Sequence, residues 1–236
     1  MDHTIEIAVA EGSFGAHIVR PGAAGEPAPV VVVLQEIFGV NPGIRSIARE
    51  MAGHGFIALC PDLFWRSQPG LSMNEADPGH QERGFALYLA YDFDQGVGDV
   101  LAAIAAARTL EGASGKVGVM GYCLGGLLTF LAAASGAGAA ADAAVAYYGG
   151  GTERFLERAA RIDAPLLMHL AEEDEYIDNP AQAAIRAALA ASANVTVHGY
   201  PGQSHAFARP GGAHFDRAAA DLAWRRTLDF LRLHLG

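Results

Sequence analysis

The scarcities of this chain set its first limits. Cysteine occurs only twice in 236 residues, as Cys60 and Cys123, so no disulfide framework can hold the fold, and in a reducing compartment both are expected as free thiols. Positive charge is short: 16 Lys and Arg stand against 26 Asp and Glu, a net charge of -10. No cluster of Lys and Arg interleaved with aromatics offsets it, which argues against a nucleic-acid partner, because such a surface repels phosphate backbones. The opening MDHTIEIAVAEGS carries Asp2 and Glu6 where a secretory signal needs a basic start and a longer apolar block, so a cytoplasmic location is expected. Val117 to Ala141 holds no charged residue and has the length to cross a bilayer, yet its apolar content is mostly Ala and six glycines interrupt it. A strand, a sharp turn and a buried helix account for it better, and no membrane partner is expected. Internal repeats and phosphate loops of the G-x-x-x-x-G-K-S/T or strand-linked G-x-G-x-x-G kind are absent, which leaves nucleotide binding a minor reading.

What is present is apolar. Hydrophobic residues make up 51% of the chain, enough for one large core, and a single α/β domain over 1–236 is the expectation. Short β-branched or apolar runs alternate with helical stretches, the pattern of a mostly parallel central sheet with helices on both faces. The first twenty residues, with alternation in TIEIAVA and AHIV, read as an opening antiparallel hairpin. Strands are predicted at Val31–Gln35, Phe56–Cys60 stopped by Pro61, Lys116–Met120, Ala143–Tyr148, Pro165–Leu170 and Val195–Tyr200. Helices are predicted at Ile44–His54, from Asp94 through Arg108, and at about Thr152–Ala160, Asn179–Ala191 and Phe215–Leu233, from apolar residues at helical spacing. Leu63 to Gly79, with Pro69, Gly70, Pro78 and Gly79, reads as an irregular excursion over the sheet edge of the kind that shapes a pocket.

The stretch GVMGYCLGGLLTF, Gly118 to Phe130, carries the chemistry. A lone cysteine among apolar neighbours is ordinarily packing, but Gly121 and Gly125 flank this one. A strand that turns abruptly into a helix holds its central residue in a strained conformation and tolerates only small neighbours. That geometry lifts the Cys123 sulfur off the sheet at a helix N-terminus, with the Leu124 N–H aimed at whatever it attacks. The arrangement is a nucleophile elbow with cysteine in the place of serine. A thiol nucleophile needs a base, and in such enzymes the chain order is nucleophile, carboxylate, histidine. Of nine histidines, His205 in PGQSHAF follows the last strand, where a loop hangs it over the sheet's carboxyl edge. His3, His17, His198, His214 and His234 are assigned to edge strands or helical surfaces, and His54 to a helix end. The carboxylate comes from AEEDEYID, which offers Glu172, Glu173, Asp174, Glu175 and Asp178. Asp174 is favoured because its short side chain fixes an imidazole tautomer with little freedom and Tyr176 and Ile177 anchor the loop; spacing alone leaves Glu173 open. Glu36, one residue past VVVLQ, is costly to bury unless paired, so it marks either a loop start or a site group. The same turn offers the Ile37 N–H, which with Leu124 makes the pair of donors an oxyanion needs.

These residues resemble the dienelactone hydrolase (carboxymethylenebutenolidase) family of α/β-hydrolases. QEIFGVN, CPDLF, the GVGD helix start, GKVGVMGYCLGG, AVAYYGGG, the Asp174 loop, SHAFAR and TLDFL carry the resemblance across nearly the whole chain. It implies the α/β-hydrolase fold, hydrolysis of an enol-lactone in aromatic-compound degradation without metal or organic cofactor, and a Cys123, His205, Asp174 triad. It also implies that Glu36 beside the thiol keeps the resting cysteine neutral, since a nearby carboxylate disfavours the thiolate. Substrate is implied to meet Phe38, Phe85, Tyr88 and Tyr148. Two departures bear on specificity: of the two arginines with which the family binds a carboxylate, one matches Arg209, but a gap-free reading puts Gln81 at the other, with Arg83 two residues, or roughly 200° of helix rotation, away. The family's tyrosine and tryptophan on that helix are Phe85 and Tyr88 here.

The leading expectation is therefore a cysteine-dependent hydrolase of small, anionic lactones or esters, acting through a thioester on Cys123 as a monomer or small homo-oligomer. The competing expectation is a non-catalytic relative whose exposed thiol senses electrophiles or redox state.

Overall fold

Valine supplies the centre of the sheet. In β3, Ala28–Leu34, residues Val30 to Leu34 are fully buried, as expected for a strand with parallel neighbours and helices over both faces. The computed structural model of the chain describes residues 2–22, 26–136 and 141–236. Before β3 run β1 (Asp2–Val9) and β2 (Gly12–Val19); after it come α1 (Pro42–Gly53), β4 (Ile57–Pro61), α2 (Pro78–Leu89), α3 (Phe93–Arg108), β5 (Ala113–Tyr122) and α4 (Leu124–Ala133). The chain ends with β6 (Ala143–Tyr147), a 3-10 helix (Thr152–Arg161), β7 (Leu166–Ala171), α5 (Asn179–Leu189), β8 (Val195–Tyr200) and α6 (Arg217–Leu235). The strands order as β1-β2-β4-β3-β5-β6-β7-β8. β2 is antiparallel to both β1 and β4, and every other pair is parallel.

Because side chains alternate along a strand, β3 feeds two cores. Val30, Val32 and Leu34 pack with Val100 and Ile104 of α3 and Leu127 and Leu131 of α4. Val31 and Val33 pack on the other face with Ala48 and Met51 of α1 and Leu228 and Leu231 of α6. The sheet thus carries helices on both faces, as the alternation predicts.

The differences from the sequence reading have local causes. β4 includes Pro61, which pairs with Ala16 as the last residue of the strand, a position where the missing N–H costs no further ladder bond. The helix expected near residue 152 is a 3-10 helix interrupted at Phe155. The irregular excursion ends sooner than expected, because Pro78 and Gly79 form the first turn of α2, where the Gly79 N–H donates to the Asp77 carboxylate at 2.8 Å. α2 has no apolar stripe to reveal it, Gly84 being its one buried residue. A Cβ on Gly84 would lie 2.9 Å from the Ile37 carbonyl oxygen and 3.0 Å from Ile37 Cδ1. The bare glycine therefore lets α2 rest directly on the turn that follows β3. The uncharged stretch from Val117 resolves into the end of β5, a turn and the fully buried α4, with residues 137–140 outside the described residues. Among the described residues no helix is long and apolar enough to cross a membrane.

Candidate active site

Cys123 is the one residue between β5 and α4, and its backbone is left-handed, φ 53° and ψ -114°, a conformation that costs a non-glycine residue about 1–3 kcal/mol. The surroundings impose it. A Cβ on Gly121 would come within 2.2 Å of the Gly125 carbonyl oxygen, and one on Gly125 within 2.6 Å of the Leu34 carbonyl oxygen. Only glycines allow the turn to close this tightly against β3, while the Cys123 N–H is tied to the Tyr147 carbonyl at 3.1 Å. Leu124 opens α4, so its N–H has no partner within the helix and faces forward as a donor.

His205 lies in the loop between β8 and α6, buried, next to the left-handed Ala206 at φ 63°. Its Nδ1 sits 2.9 Å and 3.1 Å from the two Asp174 carboxylate oxygens. Asp174 is itself held: its Oδ1 accepts the Tyr176 N–H at 2.9 Å and the Ile177 N–H at 3.2 Å. Of the other carboxylates in that loop, Asp178 caps α5 through the Ala181 N–H, and Glu175 accepts the His205 backbone N–H at 3.2 Å. Glu173 is exposed, and Asp174 is the carboxylate on the imidazole. His205 Nε2 is buried without a hydrogen-bond partner, which leaves it open to a group in the adjoining cavity. Burial is the largest single influence and works to lower the His205 pKa, but the neighbouring Cys123 and Asp174 together outweigh it and push it up to about 10.

Cys123 and His205 line one cavity of about 520 Å³ with Ile37, Phe38, Gln81, Phe85 and Arg209. Glu36, at the carboxyl end of β3, is 5% exposed and paired: its two oxygens accept the Arg209 Nε–H and Nη2–H at 2.7 Å each. That bidentate fork, and not a hydrogen bond to the thiol, is where its charge is satisfied. The guanidinium also lies 5.2 Å over the Phe38 ring. Burial alone would favour its neutral form, and Glu36 overrides this to keep Arg209 charged.

Tyr88 and Tyr148, which the resemblance assigned to substrate, and Arg83, the arginine nearest the family's second carboxylate-binding position, stand away from the cavity wall. Tyr88 is half-buried and donates its hydroxyl to the Gly150 carbonyl at 3.0 Å. Tyr148 is fully buried with a positive φ of 35°, its ring 5.0 Å from His205, so it packs behind the imidazole. Arg83 is exposed on α2. Gln81 does line the cavity, and its amide donates to the Glu75 carbonyl at 2.9 Å.

Among the residues the structure adds to the wall are Glu75, Glu175, Tyr176 and His214. His214, expected on a helical surface, sits in the loop before α6 with its Nδ1 3.0 Å from the His205 carbonyl. Nothing in the spacing of GGAHF signals this. Tyr176 was legible as a loop anchor only, and Glu75 lay in the stretch read as irregular. Among the described residues no group of three or more His, Cys, Asp or Glu side chains is arranged to hold a metal ion.

Comparison with known proteins places this geometry. The model of the dienelactone hydrolase family matches residues 14–235. A carboxymethylenebutenolidase of Pseudomonas putida is 41% identical over 219 residues, covering 93% of this chain and 91% of its own. A provisionally named carboxymethylenebutenolidase of Azospirillum brasilense is 42% identical over 227 residues, 96% of each chain. The crystal structure of a provisionally named dienelactone hydrolase from Klebsiella pneumoniae superposes with a TM-score of 0.85 at 27% identity, over 98% of both chains. The sheet order and the strand-turn-helix at Cys123 are those of the α/β-hydrolase fold.

Proposed function

The chain belongs to the dienelactone hydrolase family and is a lactone or ester hydrolase, and on that premise we propose that Cys123 is its nucleophile, working through a thioester with His205 and Asp174. His205 Nε2 takes the thiol proton and, with the Cys123 sulfur beside it and Asp174 behind it, holds that proton strongly, its pKa raised to about 10, while the sulfur attacks the carbonyl carbon. The oxyanion that forms is received by the Ile37 and Leu124 N–H groups, each such donor contributing about 3 kcal/mol in comparable sites. As the carbon–oxygen bond breaks, the imidazolium returns the proton to the departing oxygen. Water, deprotonated by the same nitrogen, then attacks the thioester and releases the acid. Asp174 keeps Nδ1 protonated so that Nε2 is free to act as base, and it stabilises the imidazolium between the two half-reactions.

The observation that carries this reading is the positive-φ backbone at Cys123, which raises its sulfur into the cavity lined by His205. The Glu36–Arg209 pair supports an anionic substrate. A carboxylate entering the cavity competes with Glu36 for the Arg209 guanidinium.

The test uses mass spectrometry and turnover together. Wild-type protein mixed rapidly with p-nitrophenyl acetate is expected to show an acetyl adduct on Cys123, and Cys123→Ala is expected to lose the adduct and at least about 10³-fold of kcat. An unchanged rate in Cys123→Ala, or alkylation of Cys123 in wild type with no ester turnover at all, overturns it.

A further inference from the structure

Among the described residues the large hydrophobic side chains left exposed include Phe85 at 37% and Tyr176 at 49%, and these two meet at the rim of the Cys123 cavity, ring centroids 5.6 Å apart and tilted by 46°. Their backbones are fixed although their rings are open. Phe85 is carried by α2, which Gly84 seats on Ile37 and Tyr88 ties to the Gly150 carbonyl. Tyr176 stands beside the same Gly150, where an added Cβ would lie 3.7 Å from the Tyr176 Cβ, and its N–H is anchored on Asp174. The Tyr176 ring packs edge-on against the His205 imidazole, 4.8 Å away at 84°. Rigidly placed aromatic faces left in water mark a surface with an absent partner.

We propose that Phe85 and Tyr176 form an aromatic clamp that determines specificity for the leaving group, favouring aryl esters over alkyl esters. The inference rests on the function proposed above, in which His205 Nε2 protonates the departing oxygen. A ring seated edge-on against His205 borders that oxygen's substituent. A planar leaving group extends the pair into a three-ring cluster with offset or edge contacts at about 4.5–7 Å, whereas a puckered or short alkyl group gains only the area it covers.

Phenyl acetate and trifluoroethyl acetate deliver the same acyl group to Cys123 and differ in the group that leaves. In Tyr176→Ala the ratio of their kcat/KM values is expected to fall about three- to tenfold, through a raised KM for the phenyl ester. Phe85→Ala is expected to act in the same direction. Tyr176→Phe, which keeps the ring and loses the hydroxyl, is expected to hold the wild-type ratio, and the pH profile of phenyl acetate hydrolysis is expected to stay in place in all three variants. Equal losses for both esters, or a shifted pH profile, would mean that Tyr176 only braces His205 and would overturn the clamp. A second readout needs no turnover. Phenol is expected to bind wild-type protein more tightly than cyclohexanol by a similar factor, measured by NMR titration, and Tyr176→Ala is expected to abolish the preference. No preference in wild type sinks the clamp, whereas retained turnover in Cys123→Ala sinks only the thioester reading and leaves the phenol measurement standing.

Discussion

A single carboxylate illustrates what residue-level reasoning reaches here. Glu36 follows a fully buried strand, and burial of an unpaired charge is too costly to persist, so position alone signals a partner without naming it. The partner is Arg209, 173 positions away, joined by two 2.7 Å hydrogen bonds. No local pattern could have supplied that pairing, whereas the chain order that elbow chemistry dictates pointed to the loop holding Asp174 and to His205, with Glu173 left open by spacing. The side chains of Glu36 and Arg209 are 7% and 19% exposed, so removing one partner strands the other. Arg209→Met is expected to lower the unfolding free energy in urea by about 3 kcal/mol, the lower end for a buried pair because the arginine is partly open to water. Adding Glu36→Gln should recover most of that loss. A double variant as unstable as the single one would trace the cost to lost packing on Phe38 and not to the abandoned charge.

At the scale of elements, three strands and a helix are bound by a buried polar network behind the site. His169 of β7 has Nδ1 2.7 Å from the Tyr200 hydroxyl of β8 and Nε2 3.1 Å from Thr227 of α6, which is 2.7 Å from the Tyr147 hydroxyl of β6. His169 is fully buried, and that burial, with the nearby His198 and Arg226, holds its pKa well below the usual value. The folded protein therefore keeps His169 neutral in a range where the unfolded chain takes up a proton. The contribution is intact above about pH 6.5 and is lost as pH falls below it, at about 1.4 kcal/mol per pH unit for one proton. His169→Gln is expected to flatten the decline in stability between pH 6.5 and about 5 by that slope, read from urea melts at each pH; an unchanged slope would mean that His169 takes up its proton in the folded state. Strands such as β7 were readable from their apolar runs, and β8 was read at its full extent. α2 was implied by the resemblance alone, because a helix that buries only a glycine leaves no periodic signature, and its place over the site is set by backbone contact with Ile37.

For the molecule as a whole, charge separates approach from capture. The net charge of -10 and the cavity carboxylates Glu75 and Glu175 repel an anion at a distance, while Arg209 attracts it at contact. Raising ionic strength from about 0.01 M to about 0.15 M shortens the Debye length from about 30 Å to about 8 Å. kcat/KM for an anionic ester such as mono-p-nitrophenyl succinate is accordingly expected to rise several-fold, while that for p-nitrophenyl acetate stays level. A fall for the succinate would show that attraction by Arg209 governs the encounter. The acidic surface was visible in composition; the cavity was not, since its wall gathers residues from five separate stretches of chain. One of those gatherings has a mechanical consequence. Two successive carboxylates beyond β7 grip the same histidine, Asp174 by the ring and Glu175 by the main chain, so the imidazole takes its bearings from the loop beyond a neighbouring strand as well as from its own segment. A displacement of the loop beyond β7 would therefore move the base relative to the sulfur.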